Sequence, residues 1–323
     1  MQQTTIARSV EWRGLGLHSG RPARVTVLPA APDTGLVFRT PCEGGTGDVL
    51  IPARAEHVHS TTRATTLAAR ANGESTAARR GAPPVSSAQT SPAAARVATV
   101  EHLLAALFAL GIHNAEIEVE GGEVPVLDGS AAPFVTRLRR AGIRPLAAAR
   151  RELEVRMAFE VGDADRWIRV EPGDGLSIEY AIEFAHPVIG RQRFVLEDLD
   201  GDRFERELAA ARTFGFADEV ERLRAQGLAQ GGDLSNTLVL GEGGLLNEGP
   251  LRWPDEFVRH KVVDLLGDLA LIGSELHARI TVEKGGHGLH HALVRALVER
   301  PGLLAERAPL AELGRLRAFA QPG

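Results

Sequence analysis

The stretch DEFVRHKVVDLLGDLAL, residues 255 to 271, is apolar enough for a buried helix yet carries His260, Lys261, Asp264 and Asp268 in its interior. On a helix, positions four apart share one face with Cβ atoms about 5–6 Å apart, so His260 and Asp264 can grip one ion together. Asp268 falls one turn further along, near enough to orient a group at that ion, and Lys261 sits beside the pair. In isolation the HxxxD spacing more often describes a polar pair on a solvated face. Here Phe257, Val258, Val262, Val263, Leu265, Leu266, Leu269, Ala270 and Leu271 leave little solvated face. Buried charges need partners.

A third ligand has a candidate in TVEHLLAAL, where Glu101 and His102 are adjacent. A carboxylate beside a metal-binding histidine suits a base that takes a proton from water, although the dipeptide alone carries little weight. The single cysteine, Cys42, rules out a cysteine-based zinc knuckle and an internal disulfide framework. Three N/O ligands with one open position describe a hydrolytic site; structural zinc sites are usually closed and rich in cysteine.

These residues need elements to hold them. A chain of 323 residues suits two domains of about 150 residues each. The composition, 44% hydrophobic and 24% charged with a net charge of -5, is that of a soluble globular protein and offers no basic excess for nucleic acid. The longest apolar run, Leu103 to Leu110, is too short to span a bilayer, and the N-terminus has no signal pattern. A cytoplasmic monomer is expected, with peripheral contact at the inner membrane left open.

Short alternating strands are predicted at ARVTVLPA and TGLVFRT, then a surface loop over 68–98, rich in Ala, Ser, Arg and Pro. A helix follows in TVEHLLAALFALGI, with Thr99 as its cap, then a strand in AEIEVEG and a second helix opened by Ser130 with Pro133 in its first turn. PLAAARR, 145 to 151, reads as a linker. Beyond it, RELEVRM, DRWIRVEP and LSIEYAIEF are expected to form an antiparallel meander. Helices return at 218 to 228 and 255 to 271, RITVEK makes another strand, and HHALVRALVER a last helix. The expected class is α+β: two domains of similar layout, each a mainly antiparallel sheet layered with a pair of helices. The limits are 1–146, 152–300 and a tail over 301–323.

The motifs GLGLHSG, TVEHLLAAL, EVPVLDGSAAPF, ARTFGF, DEFVRHKVVDLLGDLAL and KGGHGL, in this order from about residue 5 to 298, closely resemble the UDP-3-O-acyl-N-acetylglucosamine deacetylase family, zinc amidases of lipid A biosynthesis. The resemblance implies an active site between two such domains. It implies zinc, or iron by availability, on His102, His260 and Asp264, with Glu101 as base towards a water that the ion acidifies. Thr213 would stabilise the oxyanion, His287 would protonate the leaving amine, Asp268 would hold His287 charged, and Lys261 would steady substrate or developing charge. The substrate would be a UDP-linked acylated glucosamine. Leu17 and Phe216 match positions that line an acyl passage built by an insertion in the second domain, Phe214 lies nearer sugar and nucleotide, and His18 joins them as a substrate contact.

The family more often reads GHALNNKL where this chain has GHGLHHAL, so His290, His291 and Ala292 depart from it. Helix capping or solvent exposure is the expectation for the two histidines, and nucleotide contacts from this segment are in question. Two other functions fit parts of the pattern: a zinc amidohydrolase on a different N-acyl sugar or amide, and a non-catalytic binding relative. Retention of acid, base and ligands argues against the second.

Overall fold

The computed structural model describes residues 1–42, 47–69 and 95–307. Most of the 68–98 loop and most of the C-terminal tail therefore lie outside the described residues. The fold is α+β, with mainly antiparallel sheets and six α-helices among the described residues.

The first half is built on a five-stranded sheet in the order Val10–Leu15, Pro22–Pro29, Ala115–Glu120, Leu36–Pro41, Asp48–Pro52. Period-two alternation sets its register: Val25 and Val27 face Val119 and Ile117 across the ladder, and all four are buried. Two helices belong to this half, α1 (Glu101–Ala109) and α2 (Ala132–Ala141). Trp12 fixes α2 to the sheet: its ring lies 5.2 Å from that of Phe134, and its indole N–H donates to the Pro133 carbonyl. Ser130 stands just before α2 and accepts the Ala132 N–H at 3.3 Å.

The second half holds α3 (Gly201–Glu207), α4 (Ala217–Ala225), α5 (Glu256–Leu269) and α6 (His287–Glu299); the last three fall on the stretches read as helical, and α3 is an addition. Its seven-stranded sheet does not run as a meander. The late strand Glu275–Glu283 lies at the hub, antiparallel to Trp167–Glu171 and parallel to both Leu176–Phe184 and Glu152–Val155. Leu276, Ala278, Ile280 and Val282 on this strand are all fully or almost fully buried, which suits a central position better than an edge.

Three local expectations are corrected. Ile143–Ala149, in the stretch read as linker, is a strand that pairs antiparallel with Gln2–Ile6, so backbone hydrogen bonds tie it to the first half. Thr99 does not cap α1: it has a positive φ of 57° and its hydroxyl donates to Glu123, while Val100 stands at the cap position. Leu304–Glu306, read as the start of a tail, is a strand antiparallel to Glu152–Val155. No helix among the described residues is long and apolar enough to cross a membrane.

The two halves meet along α1 and α5. Eight of the nine α1 residues are buried, between the first sheet and the second half. Gly267 lets the two backbones touch, because a Cβ there would overlap the Glu101 carbonyl. Arg54 adds a link at the far end, donating from Nη1 to the Ile272 carbonyl just past α5.

Candidate active site

The α1–α5 contact determines which side chains meet. Glu101 and His102 occupy the first turn of α1, and His260 and Asp264 the adjoining face of α5. One nitrogen or oxygen from each of His102, His260 and Asp264 lies within 4.8 Å of the others, and all three residues are buried. His260 Nε2 is 3.3 Å and His102 Nε2 3.7 Å from Asp264 Oδ1.

The protonation pattern fits a cation. His260 Nδ1 faces the Ala211 carbonyl at 3.1 Å; that oxygen only accepts, so Nδ1 carries the proton and Nε2 turns its lone pair inward. Burial pushes the His260 pKa down to about 4, against the pull of Asp264, so the ring is neutral near pH 7. Burial alone would raise Asp264, but Lys261, His260 and His287 outweigh it and keep the carboxylate ionised. Two imidazoles and one carboxylate form a donor set suited to a divalent ion of the zinc type. Lys261 Nζ bonds Asp264 Oδ2 at 2.8 Å and lies 5.8 Å from the Phe214 ring centroid, at the wall of the cleft.

Two ionisable groups, Glu101 and His287, face each other beside these three residues. His287 opens α6, and its Nε2 is 3.9 Å from Glu101 Oε1 and 3.8 Å from Asp264 Oδ2. Its Nδ1 donates to Asp268 Oδ2 at 2.8 Å. Burial disfavours a charged His287, yet Asp268 and Asp264 outweigh it and raise the pKa to about 9, leaving an imidazolium at neutral pH. Burial raises Glu101 above the ordinary carboxylate range, partly opposed by His287 and His102. A carboxyl group and an imidazolium thus lie on opposite sides of one small volume.

Sequence reasoning missed the residue that joins them. Thr65, in the first half, donates its backbone N–H to Glu101 Oε2 at 3.1 Å and its hydroxyl to Asp268 Oδ1 at 2.6 Å. A threonine inside TTRATT has no distinctive spacing, so nothing local marked it.

The remaining motifs are tied to one another and to α5 by hydrogen bonds. Glu256, fully buried at the start of α5, accepts from Arg212 N, Nε and Nη2 and from Arg252 N, at 2.6–3.0 Å, and so anchors the ARTFGF segment. Thr213 next to it donates its N–H to the carbonyl of Gly129 in the DGS turn. Gly129 has φ +81°, and a Cβ there would overlap the Asn236 carbonyl, so the turn is also a contact between the halves. Glu123 accepts the backbone N–H groups of His18 and Ser19, both at 2.9 Å, and shapes the GLGLHSG loop.

The cleft over these residues has a volume of about 620 Å³, within the usual range for a small-molecule site. Thr213, Phe214, Phe216 and Leu17 line it. An apolar branch of about 410 Å³ continues past Leu17, His18, Phe214 and Phe216 under Val220 and Leu223 of α4. Both ring nitrogens of His18 are buried without a hydrogen-bond partner, and burial lowers its pKa, so it enters the branch wall as a neutral ring. Of the two departing histidines, His291 is half-buried, whereas His290 is completely buried and neither caps a helix nor meets solvent. Its Nδ1 bonds Asp268 Oδ2 at 2.9 Å; the space beside Asp268 is closed, and the carboxylate supplies the partner.

Two α+β halves with a buried His–His–Asp group and a facing carboxyl–imidazolium pair in the cleft between them are an arrangement suited to a metal-dependent amide hydrolase. A family model described as UDP-3-O-acyl N-acetylglycosamine deacetylase matches residues 3–299. The chain belongs to that family. It is 43% identical over 301 residues to the UDP-3-O-acyl-N-acetylglucosamine deacetylase of Anaeromyxobacter sp. (strain Fw109-5), covering 93% of this chain and 90% of that one. It is 44% identical over 310 residues to the protein of the same name from Nitratidesulfovibrio vulgaris (strain Hildenborough), covering 96% and 92%.

Proposed function

We propose that the cleft binds UDP-linked N-acetylglucosamine bearing a 3-O-hydroxyacyl chain and hydrolyses its acetamide, releasing acetate and a free amine, the committed step of lipid A biosynthesis. The observation that carries this reading is the 3.9 Å separation of Glu101 and His287 beside the His102–His260–Asp264 group. Those three would hold zinc, or ferrous iron where it is the available ion. A divalent ion there would supply Lewis acidity, polarising the amide carbonyl and making water acidic enough to ionise near neutral pH.

The protein's own groups do the rest. Glu101 takes a proton from the attacking water as it adds to the carbonyl carbon. Negative charge then develops on the carbonyl oxygen, where the Thr213 hydroxyl donates to it and Lys261 offers a positive charge. The C–N bond breaks as His287 Nε2 delivers its proton to nitrogen, so that the leaving group is a neutral amine. Asp268 keeps His287 charged and aimed. Leu17, Phe214 and Phe216, with His18, would enclose the sugar end and the acyl chain along the apolar branch. We further propose that the enzyme works as a monomer in the cytoplasm, in peripheral contact with the inner membrane where its acylated substrate accumulates.

The test compares turnover of the hydroxyacyl substrate with that of unacylated UDP-N-acetylglucosamine, using protein purified without oxygen and assayed for bound metal. Strong preference for the acylated compound is expected. Equal rates would overturn the acylated-substrate reading, and an active protein free of metal would overturn the metal-dependent one.

A further inference from the structure

Asp268 does more than meet His287. Its Oδ1 accepts the Thr65 hydroxyl at 2.6 Å, and its Oδ2 accepts from two imidazoles, His287 Nδ1 at 2.8 Å and His290 Nδ1 at 2.9 Å. His290 and His287 lie one turn apart on α6, with ring centroids 6.0 Å apart. On its other side His290 Nε2 is 2.9 Å from the hydroxyl of Tyr180, which reaches in from the strand Leu176–Phe184. Both His290 and Tyr180 are 0% exposed, so water cannot substitute for either partner.

The donors can be assigned by elimination. An ionised carboxylate only accepts, so His290 Nδ1 must carry a proton. Burial holds His290 below its ordinary pKa and the ring is neutral, which leaves Nε2 as an acceptor. The Tyr180 phenol therefore donates to Nε2, and every polar atom in the chain Tyr180, His290, Asp268 is satisfied.

We propose that His290 is a positioning residue: wedged between Tyr180 and Asp268, it locks the carboxylate that orients His287, and so aims His287 Nε2 into the cleft. Hydrogen bonds from Thr65 in the first half and His290 on α6 hold Asp268 against rotation, and His287 inherits that orientation through its own bond. This rests on the reading of His287 as the proton donor to the leaving amine. An asparagine at 290, the residue the family pattern shows more often, can place its amide N–H where Nδ1 lies, so the bond to Asp268 can be kept. A leucine fills similar space and donates nothing.

The experiment measures kcat and KM on the hydroxyacyl substrate for H290L, H290N and Y180F, with bound metal and thermal melting as controls. The downfield imidazole N–H proton resonance of His287 is followed by NMR. H290L is expected to lose about 10- to 100-fold in kcat with KM within about twofold, the usual range when a supporting hydrogen bond to a site group is lost. H290N should recover kcat to within about threefold of the parent and keep the His287 N–H signal, which H290L shifts. Y180F removes one oxygen and should lose kcat by a few-fold in a protein that melts normally, so a misfolded H290L does not close the question. Parental kcat in H290L, or a loss in H290N as deep as in H290L, overturns the proposal. If the parent itself fails to deacetylate the substrate, the functional reading falls, and the NMR comparison alone decides whether His290 orients His287.

Discussion

Gly267 on α5 lies directly against the backbone of Glu101 on α1, with no room for even a methyl group between them. The site depends on that contact, because it is what brings a carboxyl group and one imidazole from the first half onto a helix of the second. Gly267→Ala should force α1 and α5 apart. Overpacking of this kind costs roughly 1–3 kcal/mol, and His102 should move away from His260 and Asp264. Lower thermal stability together with weaker metal retention in a chelator titration is expected; normal metal affinity in the variant would mean that the close approach does not set the ligand geometry.

Glu101 is assigned to proton transfer and not to the ion. Glu101→Ala should therefore keep its metal content while activity drops by about 100-fold or more. Activity near the parental level would show that another group takes the proton.

The charge on His287 has a consequence for stability in metal-free protein. Its pKa rises from 6.5 to about 9 on folding, with the Asp268 and Asp264 carboxylates outweighing burial. A raised pKa stabilises the fold fully below about pH 6.5, and that contribution is lost as pH rises through about 9. The difference corresponds to about 3 kcal/mol. Asp268, held far below its usual range because His287 and His290 outweigh burial, has the opposite linkage and loses its contribution only in strong acid. Denaturant melts of chelator-treated protein should show falling stability between pH 6.5 and 9, and His287→Gln should flatten that slope. An unchanged slope would place the titrating group elsewhere.

Thr65 separates two kinds of support. Thr65→Val keeps the backbone N–H to Glu101 but removes the hydroxyl on Asp268, whereas Thr65→Ser keeps both. Valine should cost about 10-fold in kcat, and serine should restore most of it. Equal activity in the two variants would show that the hydroxyl has no part in aligning the acid.

The two halves of the His102–His260–Asp264 group were legible in the sequence because their cues are local: His260 and Asp264 share a helical face, and Glu101 and His102 are neighbours in the chain, but only the family resemblance pointed to their meeting. The roles of Thr65, Tyr180 and His290 were not, since each depends on register between segments far apart; Tyr180 and His290 are 110 positions from one another. The strands show a similar division. Alternation marked LSIEYAIEF over its observed length, Leu176–Phe184, but periodicity identifies a strand without naming its neighbours. The hub position of Glu275–Glu283 was therefore missed. Thr99 looked like a helix cap by residue type, yet the nearby Glu123 carboxylate drew its hydroxyl away.

That carboxylate also makes the apolar branch asymmetric. Glu123, 2% exposed, grips the loop carrying Leu17 and His18 from beneath. The opposite wall is α4, which has no buried residue of its own and is joined to the first half by the Arg63–Glu219 ion pair at 2.9 Å. The branch thus has one wall held by a buried carboxylate and one wall built from a helix with no buried residue. Selection among chain lengths should be tuned by substitutions at Val220 and Leu223, while changes in the GLGLHSG loop should disturb its shape before they alter its reach.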